Sequence, residues 1–357
     1  MSEAVVRDSR GENLSLLLGA IGLLVGAGVG RAVLDPPSPL FGQGSVGELA
    51  AWTAFFTAGG SFVVAMVRIL PLVRPWLRRL PLWRKLLDVA GLALVHGAFS
   101  FLGTAALFSV FAEAFSGLET DRWAGAFLVS LACGVCAYAS AGNATSMTTE
   151  SLSVLVAVFL VVGATASALY ASDESWWQHH FSALGAAADA SGVVFNFTLI
   201  LTGVVLTTVA DFLTHDLSVW AEREGERRWK VTFVRLSLIA LGALLAGVGL
   251  VPVSLSLFWH NLVTYALIGV FVLALLGAPL LFRRLPGGFW VVTVVVVVLI
   301  AAAVFLHLGI GYLNITAFEL AAVGVVFGWL LLFIRTVAAA AATQPVEPAF
   351  LPGGGSP

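Results

Sequence analysis

Eight stretches of this 357-residue chain contain no Asp, Glu, Lys or Arg, and the shortest is 18 residues long. They run over 13–30, 49–67, 89–112, 123–149, 151–172, 190–210, 236–282 and 285–318. A helix of about 20 apolar residues crosses the hydrocarbon core of a bilayer. Backbone in lipid has no water to bond, so a spanning segment must be a helix or part of a closed barrel. These runs are continuously apolar, without the alternation a barrel strand needs. Composition agrees: 59% of residues are hydrophobic and 11% charged, against roughly 25% charged in soluble domains. The fold class is therefore all-α, a polytopic transmembrane helix bundle.

Most runs supply one span each. The longest, 236–282, is too long for one, and Pro252, His260 and Asn261 near its middle divide it into two. The run 285–318 opens in "LPGGFW", which suits a turn, and holds one span from about Phe289 to Gly311. A further span follows from about Ile315 to Val337 and accepts Glu319 near its start. The count is ten.

Basic residues set the orientation. With the N-terminus in the cytoplasm, sixteen of the eighteen Lys and Arg fall inside and only Arg31 and Arg122 outside. Both termini are expected to be cytoplasmic. Two of those eighteen are lysine, and Ala, Gly and Val abound; this bias suggests a GC-rich bacterial genome and the cytoplasmic membrane. Two cysteines cannot build a disulfide framework. Four regions are expected: a cytoplasmic head (1–12), a four-span portion (13–149), a six-span portion (150–340) and a disordered Pro/Gly-rich tail (341–357). The loop "RPWLRRLPLWRKLLD" (74–88) is either a simple basic loop or an amphipathic segment attracted to anionic lipid at the cytoplasmic face. A second inner loop, "HDLSVWAEREGERRWK" (215–230), separates spans six and seven.

Polar groups inside spans are costly and each needs an explanation. The stretch "DESWWQHHFSALGAAADASG" (173–192) falls outside, between spans five and six. Asp189 and Asn196 sit where the chain enters span six, and His260 and Asn261 near the outer start of span eight. His307 lies about a turn below the outer end of span nine, with Asn314 and Glu319 at the start of span ten. These positions converge on one depth near the outer leaflet. Glu319 interrupts an apolar helix and needs a partner, for which His307 and His260 are candidates. Asp173, Glu174, His179 and His180 stand beside Trp176 and Trp177, which are typical interfacial anchors, so these polar groups read as water-facing. Ser182, Gly185, Asp189 and Asn196 follow where water is lost. Cys133 and Cys136 share a mid-span face and read as packing. His96 reads as hydrogen-bonded within the bundle. Asp211 and His215, at the inner end of span six, are either a cytoplasmic gate or a helix end.

Three short motifs, Ser182 with Gly185, Phe195 with Asn196, and Pro252 followed by His260 and Asn261, resemble a bacterial multi-span membrane family. It is catalogued as domain of unknown function 998. The likeness covers roughly residues 150–340 and implies that these outer-side residues form a unit, with residues 1–149 as additional spans. It implies no activity.

The leading expectation is a polar cavity on the extracytoplasmic side, built by Ser182, Asp189, Asn196, His260, Asn261, His307 and Glu319. It would bind or move a small molecule, lipid headgroup or ion, in a non-enzymatic role. One alternative is a membrane-embedded hydrolase or transferase using His179, His180, Asp189 and His260; another is a non-catalytic assembly or accessory protein. No HExxH or other metal motif and no GxxxxGK[ST] loop is present. No metal, cofactor or nucleic acid is expected, and the lipid bilayer is the expected partner.

Overall fold

The computed structural model describes residues 3–281 and 285–342. Ten helices in that range are long and apolar enough to cross a membrane. They are α1 (Glu3–Val33), α2 (Val46–Val73), α3 (Leu82–Ala114), α4 (Arg122–Thr145), α5 (Thr149–Leu169), α7 (Ala190–Glu224), α8 (Arg228–Leu250), α9 (Leu257–Leu281), α10 (Gly287–Val304) and α11 (Ile315–Ala342). The one-turn α6 (Ala183–Ala186) lies between α5 and α7. The expected ten-span all-α bundle is what the chain forms, and the longest apolar run divides around Pro252 as its position predicts. The Pro/Gly-rich tail from residue 343 onward, and Arg283 and Arg284, lie outside the described residues.

An even number of crossings returns the chain to the side it left, so both helical ends share a side. We call it the basic side, because the Arg- and Lys-bearing turns lie there, and the other the far side. On the far side, β1 (Ser38–Pro39) pairs antiparallel with β2 (Glu119–Thr120) and ties the α1–α2 loop to the α3–α4 loop.

Helix ends follow their sequence signals. Ser45 caps α2 by accepting the Glu48 N–H at 3.0 Å, and the Glu48 carboxylate accepts the Gly44 N–H at 2.7 Å. Asp121 caps α4 by accepting the N–H groups of Trp123 and Ala124, and Thr148 with Ser151 makes a capping box on α5. Small residues then set how closely helices approach. Gly22, Gly26 and Gly30 recur every turn of α1, and an added Cβ at each would lie within 2.7 Å of α4 atoms. Close approach through small residues supplies the dispersion contact that lipid, itself apolar, cannot outcompete. The same logic joins α7 to α8, where Gly203 and Gly242 face each other. α7 is the centre of the bundle, in contact with α3, α5, α8 and α11. One apolar core, which includes Leu92, Phe159, Leu213, Leu238 and Trp329, crosses these helices.

Three segments differ from the sequence expectation. The polar head is helical from Glu3 and continuous with the first span. Most of the second inner loop is helix: α7 runs on to Glu224 because Leu217, Trp220 and Ala221 are buried, and it stops where Gly225 takes the left-handed conformation (φ 68°). At 35 residues and 1.5 Å per residue α7 is about 50 Å long, more than the hydrocarbon needs. The first basic loop likewise shrinks to a short 3-10 helix, Pro75–Arg79, after which α3 starts at Leu82 and takes Arg84 with it.

The side assignment has a direct check. In a Cys133→Ala/Cys136→Ala background, a cysteine at exposed Gln178 should react with an impermeant maleimide in intact cells. One at exposed Glu222 should react only after permeabilisation. Labelling of the second position in intact cells would reverse the topology.

Candidate functional site

The site is built from five elements on the far side: the loop after α5, α7, α9, the end of α10 and α11. The loop after α5 folds back toward the bundle, and Asp189 fixes both of its ends. Its Oδ2 accepts the Ser172 N–H at 3.0 Å and the Ser172 hydroxyl. Its Oδ1 caps α7 through the Ser191 and Gly192 N–H groups. The Ser172 donors hold the Asp189 carboxyl below the usual carboxylate range; those oxygens are occupied by the fold. Asn196, one turn into α7, donates from Nδ2 to Gly185 O at 2.8 Å. Gly185 must be glycine here, since a Cβ would lie 2.5 Å from Asn196 Oδ1 and 2.8 Å from the Phe195 ring. The Ser182–Gly185 and Phe195–Asn196 pairs therefore meet as one folded unit.

That unit presents Phe181 to α11. The Phe181 ring packs edge-on to Phe195 with centroids 5.1 Å apart, and its N–H donates to Glu319 Oε2. Glu319 Oε1 has no hydrogen bond to a described residue. Asn314 caps α11 by accepting the Ala317 N–H at 2.8 Å and donates to Trp177 O at 3.3 Å, which seats the loop on the helix end.

Three imidazoles lie within electrostatic reach of Glu319: His180, His260 and His307. His260 comes from the first turn of α9, is 6% exposed and donates from Nδ1 to Val251 O at 2.8 Å. His307 comes from a π-helical turn, Phe305–Gly309, that ends α10; widened turns of this kind recur at functional sites. It donates from Nδ1 to Leu313 O at 2.9 Å and stacks on Phe318 at 4.8 Å. A carbonyl can only accept, so both rings in the neutral form carry their proton on Nδ1 and a bare lone pair on Nε2. His180 Nδ1 lies 3.0 Å from Ser182 Oγ. One turn before Glu319, the buried Thr316 hydroxyl has no hydrogen-bond partner.

His180, His260 and His307 thus lie within electrostatic reach of Glu319, and Ser182 is beside His180. Asp189 and Asn196 hold the loop rather than face the cluster, and Asn261 is half-buried beside His260. His180 was read from the sequence as water-facing; the structure half-buries it, beside Ser182 and within electrostatic reach of Glu319, and leaves its neighbour His179 exposed. Adjacent residues off a regular helix point to different sides, and only the fold-back of the loop decides which one enters. Among the described residues, no three His, Cys, Asp or Glu side chains gather as metal ligands would.

A second polar cluster, on the basic side, was not legible as a unit. Arg84, Asp88 and Asp211 are 7%, 3% and 5% exposed. Arg84 Nε donates to Asp211 Oδ2 at 2.7 Å, its Nη1 to Thr207 Oγ1 at 3.1 Å and its Nη2 to Thr207 O. Arg235 Nη2 reaches Asp211 Oδ1 at 3.2 Å, and the Thr208 hydroxyl donates to Asp88 Oδ1 at 2.8 Å. This network clamps α3, α7 and α8 together and buries Asp211, which is therefore not a solvated helix end. The i,i+4 spacing of Arg84 and Asp88, with Asp211 far along the chain, was the available signal. Mid-bundle, His96 donates to Leu92 O at 2.8 Å and stacks on Phe62 at 4.2 Å, while its buried Nε2 has no partner among the described residues. Cys133 and Cys136 are free thiols; Cys136 Sγ contacts the Thr104 hydroxyl at 3.8 Å.

No protein-family model matches the chain, and neither does any curated protein or solved structure compared with it.

Proposed function

We propose that this multi-pass membrane protein binds a small donor-rich group, a primary ammonium above all, at the far-side cluster, and moves it or its carrier molecule. The observation behind this reading is Glu319 with three imidazoles from separate elements within electrostatic reach of it. In this reading a free carboxylate oxygen, the Nε2 lone pairs of His260 and His307 and the Thr316 hydroxyl, which has no partner among the described residues, would supply mostly acceptors. An acceptor-rich, partly desolvated site favours a cation that brings several N–H donors. The folded unit of Ser182, Gly185, Phe195 and Asn196 beside this cluster is also what we propose the chain shares with domain of unknown function 998.

The test is thermal unfolding of the purified protein with ethanolamine, and with ethylene glycol as its uncharged control. Ligand that binds only the native state raises the midpoint. Ethanolamine should stabilise the wild type, and Glu319→Gln should weaken that effect roughly tenfold or more, as loss of a charge-assisted hydrogen bond does. His179→Ala should not. Equal responses in Glu319→Gln and wild type would sink the proposal.

A second reading has one observation in its favour. Ser182 Oγ lies 3.0 Å from His180 Nδ1, with Glu319 near that imidazole, an order of groups that a serine hydrolase would use. A fluorophosphonate probe separates the two. Labelling of wild type but not Ser182→Ala would favour the hydrolase.

A further inference from the structure

After the basic end of α2 the chain packs against α7 at Phe212 and His215, and two donors there have no partner among the described residues. Arg74 Nε and Trp76 Nε1 are buried atoms with no hydrogen-bond partner among the described residues. Trp76 lays its indole on His215, 4.8 Å between centroids and 15° between planes, and stands edge-on to Phe212 at 5.1 Å. Arg74 is within electrostatic reach of the same His215. A guanidinium, an indole N–H and an imidazole are thereby gathered about one point of α7. The acid beside them, Asp216, takes the Thr149 hydroxyl.

The turn that carries these groups is fixed in place. Leu77 is buried beneath it, and Lys85 Nζ donates to Arg78 O at 2.8 Å across it. Leaving a buried donor unpaired is unfavourable, so a held turn that leaves two of them, on residues two apart, without partners among the described residues is suited to an acceptor from outside. The position also matters. Arg74 directly follows the last residue of α2, where a bilayer would change from hydrocarbon to headgroups. Guanidinium N–H groups match the oxygens of a phosphate, and the exposed Arg78 and Arg79 add an attractive field.

We propose that Arg74, Trp76 and His215 form a binding site for a phosphate group, carried by an anionic lipid headgroup or by free phosphate. The site lies on the side of the bundle opposite the Glu319 cluster and does not depend on the function proposed for it. The experiment uses the full-length protein in zwitterionic detergent–lipid micelles, titrated with phosphatidylglycerol, phosphatidylcholine or inorganic phosphate, and reads the unfolding midpoint. Phosphatidylglycerol should stabilise saturably and phosphatidylcholine should not. Arg74→Gln and Trp76→Phe should each weaken the effect roughly tenfold or more. Trp76→Phe keeps an aromatic ring to stack on His215 while removing the N–H, so it carries the test if Arg74→Gln folds poorly. The exposed pair Arg78→Gln/Arg79→Gln should change the apparent affinity less than about threefold. Equal stabilisation by inorganic phosphate would name free phosphate as the source. The proposal is overturned if neither phosphatidylglycerol nor inorganic phosphate stabilises, if phosphatidylcholine stabilises as well as phosphatidylglycerol, if Trp76→Phe responds like wild type, or if the Arg78/Arg79 pair loses as much as the site variants.

Discussion

Arg84→Met is expected to destabilise the protein by about 3–5 kcal/mol, read from reversible unfolding in bicelles, because it strands charge in the bundle. Asp88 and Asp211 would keep their carboxylates at 3% and 5% exposure, and Arg235, with a side chain 46% exposed, is the cation left to Asp211. Thr207 would also lose the donors to its hydroxyl and carbonyl oxygens. The counter-test is the double variant Arg84→Met/Asp211→Leu. Replacing Asp211 as well removes one of the two stranded carboxylates and leaves Asp88 with the Thr208 hydroxyl, so the pair should cost less than Arg84→Met alone. A single-variant cost below about 1 kcal/mol would mean that water reaches the network, since exposed ion pairs are worth no more than that.

Gly203→Val is the second large effect expected. A Cβ at Gly203 would lie 2.3 Å from Gly242 O and 2.6 Å from Ala246 N, and a Cβ at Gly242 would lie 2.5 Å from Gly203 O. Backbone atoms on the opposite helix cannot rotate away as a side chain can, so α7 and α8 must part. Overpacking commonly costs about 1–3 kcal/mol; against backbone we expect the upper end or beyond. Gly60→Val, where nothing lies within 4 Å of an added Cβ, should cost no more than helix propensity allows. Equal losses at the two positions would contradict the close α7–α8 crossing.

What the sequence could reveal follows from what lipid demands. Spans were legible because unpaired backbone and charge are excluded from hydrocarbon over some 20 residues at a time, a signal too long to be mimicked by chance. Glu319 stood out for the same reason: a carboxylate in an apolar helix must have company, and His260 and His307 were at its depth. His180 was not legible. It shares a dipeptide with exposed His179 and follows two anchoring tryptophans, and its inward turn depends on Asp189 and Asn196 closing the loop. Arg84 was hidden differently. In sequence it belongs to a run of basic residues that reads as a solvated loop. Its burial depends on α7 continuing past Asp211 so that Thr207, Thr208 and Asp211 meet the first turns of α3. The glycine contacts were invisible one at a time, since glycine is abundant here (37 residues) and only the facing helix tells which of them are crowded.

The central claim is that Glu319, His180, His260 and His307 are held apart by the fold to receive a ligand rather than to satisfy one another. A high-resolution electron cryo-microscopy map of the protein in lipid nanodiscs with ethanolamine present tests it most directly. The account predicts density not belonging to the chain within hydrogen-bonding distance of Glu319 Oε1 and of Nε2 on His260 or His307, with both Nδ1 atoms still on the carbonyls of Val251 and Leu313. A map in which the Glu319 carboxylate is bonded directly to those imidazoles, with no room between them, would contradict it.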